Sequence, residues 1–289
     1  MKPTLVLQAY GSASLRHQAR FAVHSWLHWL EPSAFRVLLF TDAPEEFAAT
    51  LPADLDWATE PMDARRLADW RGGIDFVHRV KIEALRCAAA RCGGPLLYLD
   101  GDTACVAHPQ PVLDALAAGH PVMHTFEGRL ATSPHRLHRK IWRKLRSLGE
   151  FQVDLTQGER VLTADTPMWN AGVIGLAPAH LPLLDDALVL TDMLYIMYPK
   201  HVMEQLAFSF LLDGEDPSKP PTVRSCITGR TKPPGTTASP ACTRPTPTTH
   251  PRATWWQICW RIRRASCLPL VGGGGPFNPG LTSGFRNNP

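Results

Sequence analysis

Short apolar runs alternate with longer amphipathic segments over residues 1–216 of this 289-residue chain, and no other feature constrains the fold as strongly. Residues 5–9, 36–41 and 96–99 have the length and composition of buried strands, whereas residues 14–30 repeat apolar side chains at helical spacing. Repeated alternation of strand and helix is typical of a parallel sheet covered on both faces. The pattern therefore predicts an α/β fold with a mostly parallel, Rossmann-like sheet flanked by helices.

The same pattern predicts further elements along the chain. Residues 121–126 are expected to form another strand and residues 181–198 another helix. In the first predicted helix, Phe21, Trp26 and Trp29 are the large apolar side chains that we expect to be buried in the core.

The net charge of +4 is the sum over two stretches of the chain that differ in composition and in the sign of their charge. Residues 1–216 hold 20 of the 30 Lys and Arg and all 26 Asp and Glu, whereas residues 217–289 hold ten basic residues, no acid and 13 of the 27 prolines. A stretch without acids that is rich in Pro, Thr and Arg does not have the composition of a packed domain. We therefore expect a folded domain over residues 1–213 and a basic tail over residues 214–289 that is disordered or aberrant.

Composition also bears on location and on the cysteines. No apolar run approaches the length of a membrane span, and the apolar stretch in residues 1–11 is too short for a secretory signal, so a cytoplasmic protein is expected. The seven cysteines include no Cys-x-x-Cys pair, which argues against a zinc site or a disulfide framework. Cys87, Cys92 and Cys105 lie among apolar residues and are interpreted as buried thiols.

Two aspartates end one of the apolar runs. Residues 96–103 read Leu-Leu-Tyr-Leu-Asp-Gly-Asp-Thr, so that Asp100 and Asp102 follow a strand and are separated by Gly101. Residues i and i+2 of an extended chain share a face, and Gly101 leaves room for a ligand against the backbone. Carboxylates of this kind suit Mg or Mn and, through the metal, the phosphates of a nucleotide. The alternative interpretation is that two acidic residues merely open a turn after the strand.

Three further segments with polar residues accompany the two aspartates, and the first of them is predicted from the helical spacing of its apolar residues. The order of the whole set is more specific than any one motif in it. In chain order, the segments are a helix that carries Arg79 and Lys81 near its start, a short strand over residues 167–176 that is entered through Asn170 and Gly172, and a helix with Glu204 and Gln205 in its first turn.

This ordered set resembles the nucleotide-sugar glycosyltransferases of the GT-A fold, in particular the family 8 group with its Asp-x-Asp motif. The resemblance covers residues 3–212. It implies a GT-A-like fold, a Mn or Mg cofactor and a hexosyltransferase-type enzyme. Such an enzyme moves a sugar from a UDP- or GDP-linked donor to a glycan, lipid or protein acceptor, and family 8 enzymes retain the anomeric configuration.

The resemblance also implies roles for individual residues. Asp100 and Asp102 would bind the metal, and Gln205 or Glu204 would stabilise an oxocarbenium-like transition state near the anomeric carbon. A Glu in the first turn of a helix also interacts favourably with the helix dipole without any chemistry. Open α/β sheets bind ligands beyond the carboxyl ends of their strands, and the donor-binding residues expected there and in the neighbouring segments are Ala9, Tyr10, Gly11, Asp42, Arg79, Lys81, Asp100, Gly101, Asn170 and Gly172.

Residues 135–146 form a basic amphipathic segment. Leu137, Ile141, Trp142 and Leu145 repeat at helical spacing, and cations occupy the other face. Such a helix suits an anionic acceptor or a membrane surface, and it is also typical of a solvated helix that packs on the core. Peripheral contact with the inner face of a membrane is therefore one expectation, whereas no nucleic-acid partner is favoured.

The resemblance further implies a third metal ligand, a His in a late segment similar to His-Tyr-x-Gly-x-x-Lys-Pro-Trp or His-Tyr-Trp, and no such segment is found in this reading frame. The codons for residues 225–232 can be read in another frame, starting from the third base of the Ser225 codon. The degeneracy of the genetic code then permits the peptide Leu-His-His-Trp-Ala-Asn-Lys, which is close to that motif. We hypothesise a single-base shift between Leu212 and Arg224, which sequencing of the gene would test. Without the third ligand, transferase activity should be weak or absent. The alternative is a genuine basic tail that binds nucleic acid or a membrane through residues 255–264.

Two other functions are compatible with the aspartate motif. A haloacid-dehalogenase-type phosphatase also has Asp-x-Asp after an apolar strand, but its motif lies near the N-terminus and has Thr or Val where this chain has Ala104. A non-catalytic nucleotide-sugar-binding protein is the other alternative. Turnover of a simple phosphate ester or of a nucleotide sugar separates these possibilities.

Overall fold

The computed structural model describes residues 2–156, 158–213 and 226–229, in which strands and helices alternate along the chain. The strands are β1 (Thr4–Ala9), β2 (Arg36–Thr41), β3 (Asp56–Pro61), β4 (Leu96–Leu99), β5 (Thr103–Cys105), β6 (Val122–Met123), β7 (Phe126–Arg129), β8 (Phe151–Leu155), β9 (Gly158–Leu162), β10 (Pro167–Trp169), β11 (Val173–Leu176) and β12 (Ile227–Gly229). The helices are α1 (Ala13–Leu27), α2 (Pro44–Ala48), α3 (Ala64–Arg71), α4 (Arg79–Cys92), α5 (Gln110–Ala117), α6 (Arg136–Ser147), α7 (Leu183–Met197) and α8 (Met203–Leu211).

Six strands form a central sheet in the order β3-β2-β1-β4-β11-β6. The first four strands are parallel, and β11 runs antiparallel to both of its neighbours. The predicted α/β class, with a mostly parallel sheet flanked by helices, is confirmed. The winding reverses between β1 and β4, because β2 and β3 extend the sheet on one side of β1 and β4 extends it on the other. Open α/β sheets bind ligands at such a switch point.

Alternating side chains of the strands build a core on both faces of the sheet. In β1, Leu5 and Leu7 pack into the cluster that contains Trp26 of α1, whereas Val6 packs into the cluster that contains Val80 of α4. All five side chains are at most 1% exposed, and burying one of this size stabilises the fold by roughly 2 kcal/mol. The sheet is therefore a rigid base for the residues at its carboxyl edge.

Helix α1 differs from the sequence prediction in one core residue. Trp26 is buried as expected, and Trp29 is partly buried with its indole N–H donating to the carbonyl of Cys105 at 3.1 Å. Phe21, in contrast, is 55% exposed, so its predicted burial is wrong. The buried residues of α1 follow the spacing i, i+3, i+4, i+7 from Ala19, and Phe21 lies off that stripe.

The segment predicted as one strand over residues 167–176 consists of two. Strand β10 pairs with β7, whereas β11 pairs with β4 and β6 in the central sheet. Asn170, Ala171 and Gly172 connect them, and the Asn170 N–H donates to the carbonyl of Thr125 at 2.7 Å. This connection brings Asn170 and Gly172 beside the end of β4.

Part of the predicted tail belongs to the folded unit. Strand β12 pairs antiparallel with β5, with Ile227 opposite Cys105 and Gly229 opposite Thr103. Cys226 and Ile227 are each 2% exposed. The boundary expected at residue 213 therefore does not separate all later residues from the domain, and the rest of the tail lies outside the described residues.

Two expectations from composition concern the cysteines and the membrane. Cys105 is buried, whereas Cys87 and Cys92 are only partly buried. Among residues 2–156, 158–213 and 226–229, no helix combines the length and the apolar character needed to cross a bilayer.

Candidate active site

A crevice opens at the carboxyl ends of β1 and β4, where the winding of the sheet reverses. Its volume is about 350 Å³, and its walls also include the first half of α1 and the segment that enters α4. Five of the residues predicted for donor or metal binding line it together, namely Tyr10, Lys81, Asp100, Gly101 and Asp102. The other lining residues are Gln8, Leu15, Gln18, Val77, His78 and Tyr98.

Two donors hold the carboxylate of Asp100 in this crevice. The Tyr98 hydroxyl donates to Asp100 Oδ1 at 2.9 Å, and Lys81 Nζ lies 3.2 Å from the same oxygen. Tyr98 and Asp100 share a face because they are two residues apart in an extended chain. Burial, together with the negative charge of Asp100, raises the pKa of Tyr98 well above its ordinary value, so its hydroxyl stays a donor.

Asp102 is the free carboxylate of the crevice. It lines the same cavity, yet it forms no hydrogen bond or ion pair with any residue that the structure describes. Directly after Asp102, the Thr103 N–H and hydroxyl both donate to the carbonyl of Asp100, at 3.0 and 2.7 Å, and thereby hold the turn that contains both aspartates. The oxygens of Asp102 are therefore positioned by the backbone and available to a ligand.

Lys81 supplies a buried positive charge next to Asp100. Its side chain extends from the first turn of α4, is 5% exposed and donates to the carbonyl of Ala171 at 2.9 Å. A second carboxylate, that of Glu204, lies 3.6 Å from its Nζ. Burial alone would lower the pKa of Lys81, but Asp100 and Glu204 outweigh burial and the pKa is raised. Lys81 therefore remains an ammonium ion at the floor of the crevice.

Glu204 is buried in the first turn of α8 with one oxygen unsatisfied. Its Oε1 faces Lys81, whereas its Oε2 has no hydrogen-bond partner in the described part of the chain. Burial raises the pKa of Glu204 to about 7, and the nearby Lys81 opposes that rise. The carboxyl group is thus able to gain or lose a proton near neutral pH.

His78 lies 3.7 Å from Glu204, measured from Nδ1 to Oε1, and lines the crevice. Burial, followed by repulsion from Lys81, lowers the pKa of His78 to about 4. His78 is therefore a neutral imidazole at neutral pH and offers a hydrogen bond rather than a charge.

Three polar side chains converge beside Gly172. A Cβ atom at this glycine would lie 2.9 Å from Asn170 Oδ1 and 3.4 Å from both Asp100 Oδ2 and His124 Nδ1. The Gly172 N–H donates to Asn170 Oδ1 at 2.9 Å, which fixes that atom as the amide oxygen. The glycine is needed here because any side chain would displace one of these groups from the end of β4.

Glu127 orients the two amides of the site. Its carboxylate accepts from Asn170 Nδ2 at 3.1 Å and from Gln205 Nε2 at 2.8 Å. His138 of α6 approaches the same carboxylate, with its Nε2 3.6 Å from Oε2. Gln205 is thus held by a residue of β7. We call Glu127 and the side-chain amides of Asn170 and Gln205 the amide cluster, which adjoins the crevice through Asn170 and Gly172.

The remaining predicted donor-binding residues form contacts within the fold. Arg79 pairs with Asp192 of α7 at 3.0 Å, and Asp42 accepts from the Gly11 N–H at 2.9 Å. The carbonyl of Ala9 accepts from the hydroxyl of the last residue of β2. None of Ala9, Gly11, Asp42 and Arg79 lines the crevice. Their side chains or backbone atoms instead join neighbouring elements of the sheet edge and helices.

Four residues of the site were not identified from sequence. Tyr98 stands two residues before Asp100, so the alternation that pairs the aspartates also indicates Tyr98. His78 directly precedes Arg79, and its role depends on burial that the sequence does not reveal. His124 and Glu127 carry no local signal, because they approach Asn170 only through the pairing of β7 with β10.

The segment that begins with β12 contains a sequence signal that was overlooked. Residues 226–233 read Cys-Ile-Thr-Gly-Arg-Thr-Lys-Pro, in which Gly229, Lys232 and Pro233 have the spacing of the Gly, Lys and Pro in the expected third-ligand motif. Cys226 stands where that motif has His. The carbonyl of Ile227 accepts from His124 Nε2 at 3.1 Å, so β12 reaches the amide cluster. Both observations argue against a shift of the reading frame upstream of Cys226, and gene sequencing tests that hypothesis directly.

Comparison with families and curated proteins returns no match: no family model fits the chain, and no curated protein is significantly similar in sequence.

Three glycosyltransferases are among the solved structures with a similar arrangement. Mouse xyloside xylosyltransferase 1 in its apo form has a TM-score of 0.49 and 14% identity over 73% of this chain and 81% of its own. Galactosyltransferase LgtC in complex with donor and acceptor sugar analogs has a TM-score of 0.49 and 13% identity over 72% of this chain and 70% of its own. The apo structure of the bifunctional glycosyltransferase WbbM has a TM-score of 0.42, with 8% identity. Because these TM-scores are below 0.5, a proposal for the function has to rest on the geometry of the site itself.

Proposed function

We propose that this protein is a GT-A-type glycosyltransferase of the hexosyltransferase kind, which binds a UDP- or GDP-linked sugar in the crevice between β1 and β4. The observation that carries the proposal is the position of Asp100, Asp102 and Lys81 on one crevice at the switch point of an α/β sheet. Two carboxylates and an ammonium suit a metal-associated diphosphate better than an uncharged ligand.

The residues of the crevice fit a Mn or Mg ion in part. Among the described residues, Asp102 has no hydrogen-bond or ion-pair partner and no cluster of three His, Cys, Asp or Glu exists. Asp100 has one oxygen turned toward Gly172. Mg is commonly held by one or two carboxylates together with substrate phosphates and water, so Asp100 and Asp102 are sufficient as protein ligands. When bound, the cation would offset the charge that develops on the leaving diphosphate.

The surrounding residues would act on the donor directly. The Lys81 ammonium would attract the diphosphate, and it stays protonated because Asp100 and Glu204 raise its pKa. The partly buried Tyr10 ring lines the crevice and would stack on the base. Gln205 and Asn170, both oriented by Glu127, would hydrogen-bond the donor sugar and the acceptor, which remains a glycan, lipid or protein.

Ligand-induced stabilisation tests the proposal before turnover, because the sequence predicts weak catalysis. UDP, GDP and their sugar conjugates would be screened by thermal shift with and without Mn, since a ligand that binds the folded state raises the melting temperature by mass action. We expect one nucleotide to stabilise the protein in the presence of Mn. If no nucleotide does so at millimolar concentration, the proposal is wrong.

The same preparation separates the alternative functions. Hydrolysis of a simple phosphate ester would favour a phosphatase, and nucleotide binding without sugar transfer would favour a non-catalytic binding protein. The phosphatase is the weaker alternative, since Tyr98 and Lys81 both contact Oδ1 of the Asp100 carboxylate, the group that would have to act as nucleophile.

A further inference from the structure

Helix α6 presents a cationic face that no acid of the described chain neutralises. Its exposed basic residues have no ion pair with a carboxylate among the described residues, and the helix itself contains no Asp or Glu. The buried residues His138, Ile141 and Leu145 lie on the opposite side of the helix. The exposed cations are Arg136, Lys140, Arg143, Lys144 and Arg146.

This charge opposes that of the surrounding domain. Of the 20 Lys and Arg in residues 1–216, six lie on this one helix, while the same part of the chain holds 26 Asp and Glu. A solvated helix face in an acidic domain does not require such a concentration of one sign, which marks α6 as a surface for an anionic partner.

An apolar cavity of about 480 Å³ opens beside the cationic face. Trp142, Phe151, Val161 and Leu162 line it, and Arg146 of the helix and the exposed Glu150 line it as well. Val161 is 36% exposed, and the nearby Leu148 at the end of α6 is 38% exposed. Positive charge and accessible apolar surface are thus combined on one side of the molecule.

We propose that α6 and the adjoining cavity form a docking surface for an anionic lipid bilayer. The cations would contact headgroup phosphates, and the cavity, with Leu148, would meet the acyl region; each Lys or Arg at an anionic surface raises affinity about fivefold. A nucleic acid would match the cations but would leave the apolar cavity uncovered. The inference goes beyond the proposed function, because it does not depend on sugar transfer.

The docking surface is connected to the candidate active site. His138, on the buried side of α6, contacts Ser133 Oγ at 2.9 Å and approaches Glu127 at 3.6 Å. Glu127 in turn holds Asn170 and Gln205. Since α6 lies between the bilayer and the amide cluster, docking would hold the cluster at a fixed distance from the bilayer surface. That distance is about one helix diameter, 10 Å.

Sedimentation of the full chain with vesicles tests the proposal. The triple variant R136Q/K140Q/R143Q is compared with the control K2Q/R20Q/R65Q, which removes the same charge elsewhere and, like it, keeps the basic tail. We expect the parent and the control to bind phosphatidylglycerol–phosphatidylcholine vesicles, and the α6 variant to bind at least tenfold more weakly. None should bind vesicles of phosphatidylcholine alone.

Three outcomes would overturn the proposal. The first is that the parent does not bind the anionic vesicles, and the second is that both triple variants lose vesicle affinity equally. The third is that the α6 variant keeps its vesicle affinity but binds poly-uridylate more weakly than the parent. The last outcome would assign the surface to nucleic acid.

Val161→Asp addresses the cavity independently, since it should weaken the part of vesicle binding that survives high salt. Matching circular dichroism spectra and unfolding midpoints confirm that all variants are folded.

Discussion

Glu204 and His78 face each other in the candidate site, and burial shifts their pKa values in opposite directions. The pKa of Glu204 rises from 4.5 to about 7, whereas that of His78 falls from 6.5 to about 4. Between about pH 4 and 7, both side chains are therefore uncharged in the folded protein. In that range Glu204 contributes no negative charge beside the buried Lys81.

Opposite shifts give opposite pH dependences of stability. Folded Glu204 keeps its proton to about pH 7 while the unfolded chain loses it near 4.5, so its contribution to the free energy of unfolding falls as pH rises through that window. Its amplitude is on the order of 3 kcal/mol. The contribution of His78 rises with pH from about 4 to 6.5, and it is smaller because this side chain is 39% exposed and screened by water.

Glu204→Gln should remove the contribution to the free energy of unfolding that falls with pH and leave the His78 contribution that rises with pH. We therefore expect the free energy of unfolding of the variant, measured by urea titration, to increase or stay level between pH 4.5 and 7, where that of the parent declines. Glu150→Gln, at an exposed position whose side chain has no hydrogen bond or ion pair among the described residues, should follow the parent. A Glu204→Gln profile parallel to that of the parent would show that Glu204 is ionised in the folded state at acidic pH.

Asp102→Asn should separate ligand binding from stability. Because Asp102 has no partner in the described part of the chain, the free energy of unfolding should change by less than about 0.5 kcal/mol. Titration calorimetry with UDP or GDP and Mn should show at least a tenfold loss of affinity, since a metal ligand is removed. Asp54→Asn, an exposed control, should bind as the parent does. Parent-like binding by Asp102→Asn would remove this carboxylate from the metal site.

At the scale of residues, sequence identified side chains that act through local spacing. Asp100 and Asp102 were found because a strand has a period of two, and Lys81 because a helix has a period of 3.6. Glu127 could not be found, since it reaches Gln205 only after β7 has paired with β10. The resemblance also suggested a donor contact for Arg79, and the side chain points instead to α7.

At the scale of elements, Arg79 joins α4 to α7 and to the end of α3. Its guanidinium pairs with Asp192 at 3.0 Å and with Glu83 at 3.0 Å, and it donates to the carbonyl of Trp70 at 2.8 Å. Burial raises the pKa of Asp192, and Arg79 opposes that rise. The cluster is 13–21% exposed and is therefore more than a surface ion pair.

Arg79→Met should destabilise the fold by about 2 kcal/mol, because Asp192 and the Trp70 carbonyl lose their donor. Urea unfolding measures this change, and nucleotide affinity should stay within twofold of the parent. Arg86→Met provides a matched control on the same helix, since Arg86 is 40% exposed and its loss should cost less than about 1 kcal/mol. If instead the nucleotide affinity of Arg79→Met falls tenfold at unchanged stability, Arg79 contacts the donor as the resemblance implies.

The elements that sequence predicted best are those stabilised by their own pattern. Strands β1, β2 and β4 are largely apolar runs, and α4 follows a helical repeat. The split of residues 167–176 into β10 and β11 was missed because both halves are apolar and only their partners differ. Likewise, β12 has no apolar pattern of its own and is defined by its pairing with β5.

At the scale of the whole molecule, that pairing extends the folded unit beyond residue 213. A chain ending after Gly229 retains β12, whereas a chain ending after Asp213 loses the buried Cys226 and Ile227. We expect the shorter chain to be less stable by about 3 kcal/mol, from the lost apolar burial and strand hydrogen bonds. Thermal unfolding of the two chains measures the difference, and equal melting temperatures would place the boundary at residue 213.

The pairing of β5 with β12 also bears on how the protein is made. Every other strand of the described chain finds its partner at or before Leu176, so a nascent chain can assemble the central sheet while the ribosome is still adding residues. Only β5 must wait, with an open edge, until Gly229 has left the exit tunnel. Slowed translation after Leu176 would prolong that interval and, since an open strand edge can template pairing with other chains, promote misassembly in crowded polysomes.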